Sequence, residues 1–162
     1  MDIHYSSKSN EWETPRTIFN QLNEEFNFQL DASATKDNAL CANFFTLEDN
    51  SLIQDWSKYK SIFCNSPYGR MIGKFVEKAY QESQRGSTVV MLIPARVDTK
   101  WWHNYCAKGE VRFIKGRLKF VNKSSPSYSD DGNFKLSPAP FPSAIVIFRP
   151  NQISITKYVD IK

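Results

Sequence analysis

Four consecutive residues, Asn65 to Tyr68, combine groups that could act on an aromatic amine. The side-chain oxygen of Asn65 and the backbone carbonyl of Ser66 are two acceptors that could bind one exocyclic NH2 group. They would favour a pyramidal nitrogen whose lone pair can attack, which stabilises charge that develops in the transition state. Pro67 would stiffen the turn, and the ring of Tyr68 could stack on a flat ring. The same residues could also form an ordinary turn between a strand and a helix.

Several other kinds of active site are not supported by the sequence. It contains neither a GxGxxG nor a GxxxxGK[ST] phosphate-binding loop, and no GxSxG motif around a nucleophilic serine. His4 and His103 are isolated, so no metal site is predicted. Cys41, Cys64 and Cys106 are odd in number and form no CxxC pair, which is typical of reduced thiols. We therefore expect a reaction that needs neither a metal nor a nucleophilic side chain.

Length and charge indicate the class of protein and the kind of partner. With 162 residues, 41% hydrophobic and 23% charged, the chain is expected to form a single domain over 1–162, with residues 1–10 flexible. The net charge of +4 permits a polyanion such as nucleic acid as a partner, although a solvated basic surface explains it equally well. A polar N-terminus and the lack of a long apolar run predict a cytoplasmic protein that does not bind membranes.

Short apolar runs and segments of helical periodicity alternate along the chain. Strands are predicted at 28–31, 60–64, 88–94, 110–114, 117–121 and 144–148, with a possible edge strand at 153–159. This alternation predicts an α/β fold with a three-layer, Rossmann-like sheet. The sheet should be mostly parallel, with an antiparallel hairpin of 110–114 and 117–121 near its C-terminal end.

The predicted helices have recognisable starting residues. Thr14 is suited to cap the first helix, and Pro15 to its first turn, where a missing N–H costs little. Asp98 is a candidate cap for a later helix that contains Trp101 and Trp102, and at least one of these two rings should be buried. In a sheet of this kind ligands bind beyond the carboxyl ends of the strands. The Asn-Ser-Pro-Tyr turn is expected at that edge.

The Asn-Ser-Pro-Tyr turn resembles the Asn-Pro-Pro-Tyr catalytic motif of amino-group DNA methyltransferases, which use S-adenosylmethionine. Flanking segments extend the resemblance in order and spacing: EWETPRTIF, FQLDASAT, TLEDNSLIQDW, LIPARVDTKWWH and APFPSAIVIF. Together they look most like the small, phage-type, Dam-like DNA N-6-adenine methyltransferase family. The resemblance covers the chain from about Asn10 to Arg149.

This resemblance implies a site-specific DNA adenine-N6 methyltransferase with the corresponding methyltransferase fold. The enzyme would move a methyl group from S-adenosylmethionine to the exocyclic amine of an adenine flipped out of double-stranded DNA. Asn65 and the carbonyl of Ser66 would hold the amine, Pro67 would stiffen the turn, and Tyr68 would stack on the base. We expect a monomer or weak homodimer, in the host cytoplasm if the gene belongs to a phage.

The resemblance also implies which residues bind S-adenosylmethionine. Seven are candidates: Thr14, Pro15, Asp31, Ala32, Ser33, Asp37 and Asp49. Thr14 and Pro15 would lie beside the methionine part, and Asp37 is a candidate for the ribose hydroxyls. Two departures from the family pattern are evident. No glycine-rich loop follows the first strand, so Ala32 to Ala34 must form the pocket, and Ser66 replaces the first proline of the motif.

Other interpretations of the same residues stay open. Asp31 could cap a turn, and Asp49 could be an acid of a surface loop. The chain could instead methylate N4 of cytosine, act on RNA or a free base, or bind DNA or cofactor without catalysis. Phosphate contacts could come from Arg96, Lys100, Lys115, Arg117, Lys119, Lys123 and Lys135. The loop at 122–143 is a possible target-recognition element.

Overall fold

The computed structural model of the chain describes residues 12–120 and 137–161. The helices in these ranges are α1 (Arg16–Phe26), α2 (Ile72–Gln84) and α3 (Lys100–Asn104). The strands are β1 (Leu30–Asp31), β2 (Asn43–Phe44), β3 (Ser61–Cys64), β4 (Thr88–Pro94), β5 (Glu110–Ile114), β6 (Lys119–Phe120), β7 (Ser137–Pro138), β8 (Ser143–Phe148) and β9 (Ile155–Val159). Helices and strands alternate through most of the chain, as the sequence predicted.

The main sheet of the described residues has seven strands in the order β2-β1-β3-β4-β8-β5-β9. Neighbouring strands are parallel except at β8, which runs antiparallel to both β4 and β5. Every residue of β8 is buried, and so is every residue of β4 after Thr88. Such continuous apolar runs are typical of strands covered on both faces. The predicted α/β class with a mostly parallel, Rossmann-like sheet is confirmed.

The antiparallel pairing near the C-terminal end differs from the predicted hairpin. β5 pairs with β8 and with β9, whereas β6 pairs with β7 in a separate two-stranded sheet. The hairpin of 110–114 with 117–121 was therefore the wrong pairing. The physical reason lies in β8, whose buried side chains are best accommodated between two long strands. Sequence proximity favours a hairpin, but the burial of a strand along its whole length outweighs it.

Helices α1 and α2 each cover the sheet with one apolar face. α1 buries Ile18, Phe19 and Leu22, and α2 buries a stripe at helical spacing that includes Phe75 and Val76. Beyond the end of α2, Gly86 has φ +110°, the left-handed conformation in which glycine is favoured. These faces and the central strands form one hydrophobic core.

Two predicted helix caps are wrong. α1 begins at Arg16 with Pro15 as its N-cap residue, and Thr14 lies outside the helix. The hydroxyl of Thr14 instead accepts a 2.8 Å hydrogen bond from the side-chain amide of Asn65, in the turn after β3. In α3 the N-cap is Thr99, whose hydroxyl accepts a hydrogen bond from the backbone N–H of Trp102 at 3.3 Å, and not Asp98. Trp102 is buried, as expected for at least one of the tryptophan pair.

Some predictions concern residues outside the described part of the chain. The N-terminal segment 1–10 and residues 122–136 of the predicted recognition loop lie outside it. The remainder of that loop contains β7 and the approach to β8. The single-domain assignment stays a prediction. Across residues 12–120 and 137–161, no helix has the length and apolar character needed to cross a membrane.

Candidate active site

The Asn65–Tyr68 turn lies directly after the carboxyl end of β3, in the parallel part of the sheet. β3 lies between β1 and β4, and Asp31 at the end of β1 is in register with Phe63. Asp31 and Asn65 therefore lie at the ends of adjacent strands, on the same edge of the sheet. This is the edge at which open α/β sheets bind ligands.

The side-chain amide of Asn65 is held in one orientation. Its Nδ2 donates hydrogen bonds to the carbonyl oxygen of Trp12 at 2.6 Å and to Oγ1 of Thr14 at 2.8 Å. Its Oδ1 is buried and has no hydrogen-bond partner among the residues that the structure describes. Leaving a buried acceptor unpaired costs about 1–3 kcal/mol, so this atom is a candidate to accept a hydrogen bond from a ligand. We refer to Oδ1 of Asn65 as the open acceptor.

Ser66, the next residue of the turn, is also buried, with 3% of its surface exposed. Within the described ranges its Oγ finds no hydrogen-bond partner either. The sequence pointed to the backbone carbonyl of this residue and not to its hydroxyl. Serine in place of the family's proline therefore adds a second buried polar group beside the open acceptor. In the sequence, the only signal for this hydroxyl was the serine at position 66 in place of the family's proline.

Tyr68 is more deeply buried than its predicted stacking role suggests. Its side chain is 2% exposed, and its hydroxyl donates a 3.0 Å hydrogen bond to the carbonyl oxygen of Leu92 in β4. Burial raises the pKa of this phenol well above its ordinary value. The hydroxyl thus fixes the turn to the neighbouring strand, while Pro67 between Ser66 and Tyr68 is half-buried. Stacking of Tyr68 on a base stays a prediction.

An aromatic cluster surrounds the turn, and the sequence did not reveal it. Tyr68, Phe120 and Phe141 lie with ring centroids 5.5 to 6.2 Å apart, and Trp12 contacts Phe120 at 5.6 Å and Phe141 at 5.3 Å. Trp12 and Phe141 are half-buried, whereas Phe120 is fully buried. Two signals were available: Trp12 interrupts a polar N-terminus, and Phe141 is flanked by prolines. We refer to these four residues as the aromatic cluster.

Asp31 is a buried acid at the end of β1. Its carboxylate accepts hydrogen bonds from the backbone N–H groups of Leu40 at 3.1 Å and Ser33 at 3.4 Å. Burial raises its pKa to about 6, and the two hydrogen bonds only partly oppose that rise. Ala32 is buried beside it, and Ser33 is half-buried. The carboxylate therefore orders the loop after β1, and its contact with a cofactor stays a prediction.

The other two candidate acids are exposed. Asp49 accepts hydrogen bonds through one oxygen from the backbone N–H and the hydroxyl of Thr46, at 2.8 and 3.0 Å. These bonds hold the pKa of Asp49 below its ordinary value. Asp37 lies in a turn that Thr35 and Asn38 close with reciprocal hydrogen bonds. Cofactor contacts of both acids stay predictions, as do those of Thr14 and of Pro15, which is half-buried at the start of α1.

Five of the seven basic residues predicted to contact phosphates lie on the described surface. Arg96, Lys100, Lys115, Arg117 and Lys119 are exposed, as a phosphate contact requires, while Lys123 and Lys135 lie outside the described residues. Over the ranges 12–120 and 137–161, no group of three or more His, Cys, Asp or Glu side chains could hold a metal ion. The groups found at this edge of the sheet are thus hydrogen-bond acceptors in Asn65 and Ser66, the aromatic cluster, and the small residues Ala32 and Ser33.

Comparisons with known proteins identify the family of the chain. The model of a family described as DNA N-6-adenine-methyltransferase (Dam) matches residues 4–161. The DNA N-6-adenine-methyltransferase of Haemophilus phage HP1 (strain HP1c1) is 31% identical over 144 residues, which is 86% of this chain and 78% of that protein. The protein of the same description from Escherichia phage T1 is 35% identical over 92 residues, 56% of this chain but only 38% of that protein.

A solved structure supports the fold. The methyltransferase subunit of a type I restriction-modification system from Streptococcus thermophilus superposes with a TM-score of 0.54 and 12% sequence identity. The superposition covers 93% of this chain and 47% of that subunit. At this identity the likeness concerns the fold alone.

Proposed function

Because the chain belongs to the DNA N-6-adenine-methyltransferase (Dam) family, we propose that it methylates adenine N6 in double-stranded DNA with S-adenosylmethionine as donor. The family and the fold imply a methyl donor of this type. The curated phage relatives carry the same description, which supports adenine as the target base. Methylation of N4 of cytosine is the alternative.

The observation that carries the proposal is the open acceptor of Asn65. An arriving amine would donate one N–H to this oxygen and the other to the carbonyl of Ser66, and the cost of the unpaired acceptor would be removed. Because both acceptors attract the N–H hydrogens, the nitrogen becomes pyramidal and its lone pair is directed at the methyl group. As the N–CH3 bond formed, the S–CH3 bond of the donor would break and leave a neutral thioether. An amide oxygen is too weak a base to take the proton of the methylated amine, so Asn65 would orient the amine and stabilise its positive charge, and the proton would pass to water.

Residues beside the turn fit the donor. When bound, S-adenosylmethionine supplies an electrophilic methyl group on a sulfonium. The edge next to Asn65 carries the buried carboxylate of Asp31 and the small side chains of Ala32 and Ser33. In this proposal Pro15 lies beside the methionine part, and the exposed acids Asp37 and Asp49 contact the nucleoside part. The hydroxyl of Thr14, first a candidate for the methionine part, contacts Asn65 instead.

The target adenine would have to leave the duplex, since N6 is paired and stacked inside it. We place the flipped base against the aromatic cluster, whose members Trp12 and Phe141 keep part of their surface exposed. Tyr68 would support these rings from behind. The exposed basic residues near the carboxyl edge would contact phosphates, which makes DNA binding weaken as salt is added. The protein would act as a monomer or weak homodimer in the host cytoplasm.

The test is methyl transfer from labelled S-adenosylmethionine to unmethylated DNA, followed by digestion and identification of the modified nucleoside. The native chain should produce N6-methyladenine, and Asn65→Ala should lose most of this activity. Asn43→Ala is the matched control, because Asn43 is exposed in β2 and its amide donates a hydrogen bond to the carbonyl of Gln29, outside the turn. N4-methylcytosine as product would support the alternative, and full activity of Asn65→Ala would remove the assigned role of the open acceptor.

A further inference from the structure

Two groups from the segment before α1 converge on Nδ2 of Asn65. The carbonyl oxygen of Trp12 lies 2.6 Å from this nitrogen and Oγ1 of Thr14 lies 2.8 Å from it, although these residues are 53 and 51 positions away in the chain. Given the proposed function, on which this step rests, we infer that Trp12 and Thr14 are positioning residues. They determine which end of the Asn65 amide faces the substrate amine.

Such control is needed because the two ends of an amide have nearly the same shape and opposite hydrogen-bonding character. A rotation of the Asn65 amide by half a turn would present an NH2 group to the substrate NH2, donor against donor. The carbonyl oxygen of Trp12 can only accept, so it stabilises the orientation in which Nδ2 points towards it. Thr14 strengthens this preference. The open acceptor then faces the site.

The chain around Thr14 is built to hold these two acceptors in place. Residues before a proline favour an extended backbone, and Pro15 itself has φ −61° and ψ 135°. Among the described residues no side chain caps the N-terminus of α1, so the hydroxyl of Thr14 does not serve as a cap. It accepts the hydrogen bond from Asn65 instead. The ring of Trp12 is packed edge-on against Phe120 and Phe141, which fixes the backbone whose carbonyl faces Nδ2.

This assignment differs from a cofactor contact, and the two can be separated by kinetics. Thr14→Val keeps the shape of the side chain and removes the acceptor. We expect kcat to fall by about 10-fold, the effect of one orienting hydrogen bond, with the Kd for S-adenosylmethionine unchanged. Thr14→Ser, which restores the hydroxyl, should recover most of the lost kcat. A raised Kd for S-adenosylmethionine at native kcat would overturn the inference in favour of a cofactor contact.

A double-mutant cycle tests whether Thr14 acts through Asn65. In an Asn65→Ala background Thr14→Val should cause no further loss of kcat, because the amide it orients is gone. Additive losses would overturn the inference. Asn65→Asp tests the carbonyl of Trp12: it keeps an acceptor for the amine but has no donor for that carbonyl, so at least about a 10-fold loss is expected. Native kcat in Asn65→Asp would also overturn the inference, even if Thr14→Val failed to fold.

A readout without catalysis separates this inference from the proposed function. The side-chain 15N–1H signals of Asn65 can be identified by their absence from the spectrum of Asn65→Ala. They should exchange with solvent faster in Thr14→Val than in the native chain, since one of the two hydrogen bonds is lost. Equal exchange rates would overturn the positioning role. A native chain that shows this protection but methylates no DNA would instead contradict the proposed function alone.

Discussion

The Asn65–Ser66 turn and the cluster around Glu110 treat buried polar groups in opposite ways. At the carboxyl edge the open acceptor of Asn65 and the hydroxyl of Ser66 lack partners in the described part of the chain. At the amino edge Glu110, the first residue of β5, is equally buried at 4% exposure but fully paired. Its carboxylate receives hydrogen bonds from Arg112 and from Arg149, the latter at 2.8 Å.

The pairing at the amino edge extends beyond one ion pair. Arg112 also donates two hydrogen bonds of 2.7 Å to the carboxylate of Glu25, and the guanidinium groups of Arg112 and Arg149 each lie 5.7 Å from the ring centroid of Phe26. Burial acts to raise the pKa of Glu110, but the hydrogen bonds from the two arginines outweigh it and leave the pKa below its ordinary value.

This difference separates a structural polar cluster from a candidate catalytic one. Buried polar groups in folded proteins are nearly always paired, and a satisfied network such as that of Glu110 connects α1 to β5 and β8. An unpaired acceptor can receive a hydrogen bond from a ligand. Among the described residues Oε2 of Glu82 in α2 is also unpaired, but the other oxygen of that carboxylate is paired with Lys78 and Arg85. Burial alone therefore does not distinguish the Asn65–Ser66 turn from the Glu110 cluster, whereas the presence or absence of hydrogen-bond partners does.

The largest expected effect is on catalysis at the carboxyl edge. Asn65→Ala removes the open acceptor aimed at the reacting amine, so kcat should fall by about 10²- to 10³-fold. The free energy of unfolding should fall by only about 1 kcal/mol, since the variant loses hydrogen bonds to Trp12 and Thr14 and also the unpaired oxygen. Single-turnover methylation and urea unfolding measure the two quantities. A variant that loses stability as severely as activity would contradict the contrast between the two edges.

The converse is expected at the amino edge. Glu110→Ala leaves Arg112 and Arg149 without their shared partner, so the free energy of unfolding should fall by about 3 kcal/mol, at the low end for buried pairs because Arg149 is 38% exposed. The kcat of the remaining folded enzyme should stay native. Urea unfolding compares this variant with Glu48→Ala, a control that removes an exposed acid. A loss of kcat without loss of stability would show that this network serves the reaction.

Much of the fold could be predicted because each strand signal is local. The apolar runs of β3, β4 and β8 and the stripes of α1 and α2 specify their own burial, so the predicted class is confirmed. The pairing partner of β5 could not be predicted from local residues, because that partner is β8, more than 28 residues further along the chain. Family membership was likewise predicted from motif order, and the comparisons confirm it.

The candidate site was predictable as a set of residue types but not as an arrangement. Asn65 and Ser66 follow from the motif, whereas the contact of Thr14 with Asn65 joins positions that no spacing rule connects. Thr14 before Pro15 reads as a helix cap, since capping is the commonest use of threonine there. The orientation of the Asn65 amide depends on a backbone carbonyl, which every residue has, so no side-chain identity could reveal it.

A smaller effect is expected from pH at the end of β1. Burial raises the pKa of Asp31 to about 6, above its value in the unfolded chain, so the folded state binds more protons between about pH 4 and pH 6. The contribution of Asp31 to stability is thus most favourable below pH 4 and falls by about 2–3 kcal/mol as pH rises to 7. Asp31→Asn removes this titration, so its stability relative to the native chain should increase over that window.

Urea unfolding from pH 4 to pH 7 measures this difference, with Asp37→Asn as a control for the loss of an exposed negative charge. A relative stability of Asp31→Asn that does not change with pH would mean that Asp31 is already solvated or paired in the folded state. The carboxylate of Asp31 would then resemble that of Glu110, whose charge is stabilised by partners, more than the unpaired acceptor of Asn65.

The smallest effect concerns the anchor between the catalytic turn and β4. Tyr68→Phe keeps the ring within the aromatic cluster and removes the 3.0 Å hydrogen bond to the carbonyl of Leu92. The free energy of unfolding should fall by about 1 kcal/mol, which a shift of the urea midpoint at constant slope would report. Tyr80→Phe is a comparison for the loss of a tyrosine hydroxyl outside the turn. If Tyr68→Phe lost as much kcat as Asn65→Ala, the hydroxyl would act at the reacting atoms, and the turn would contain a second group devoted to chemistry.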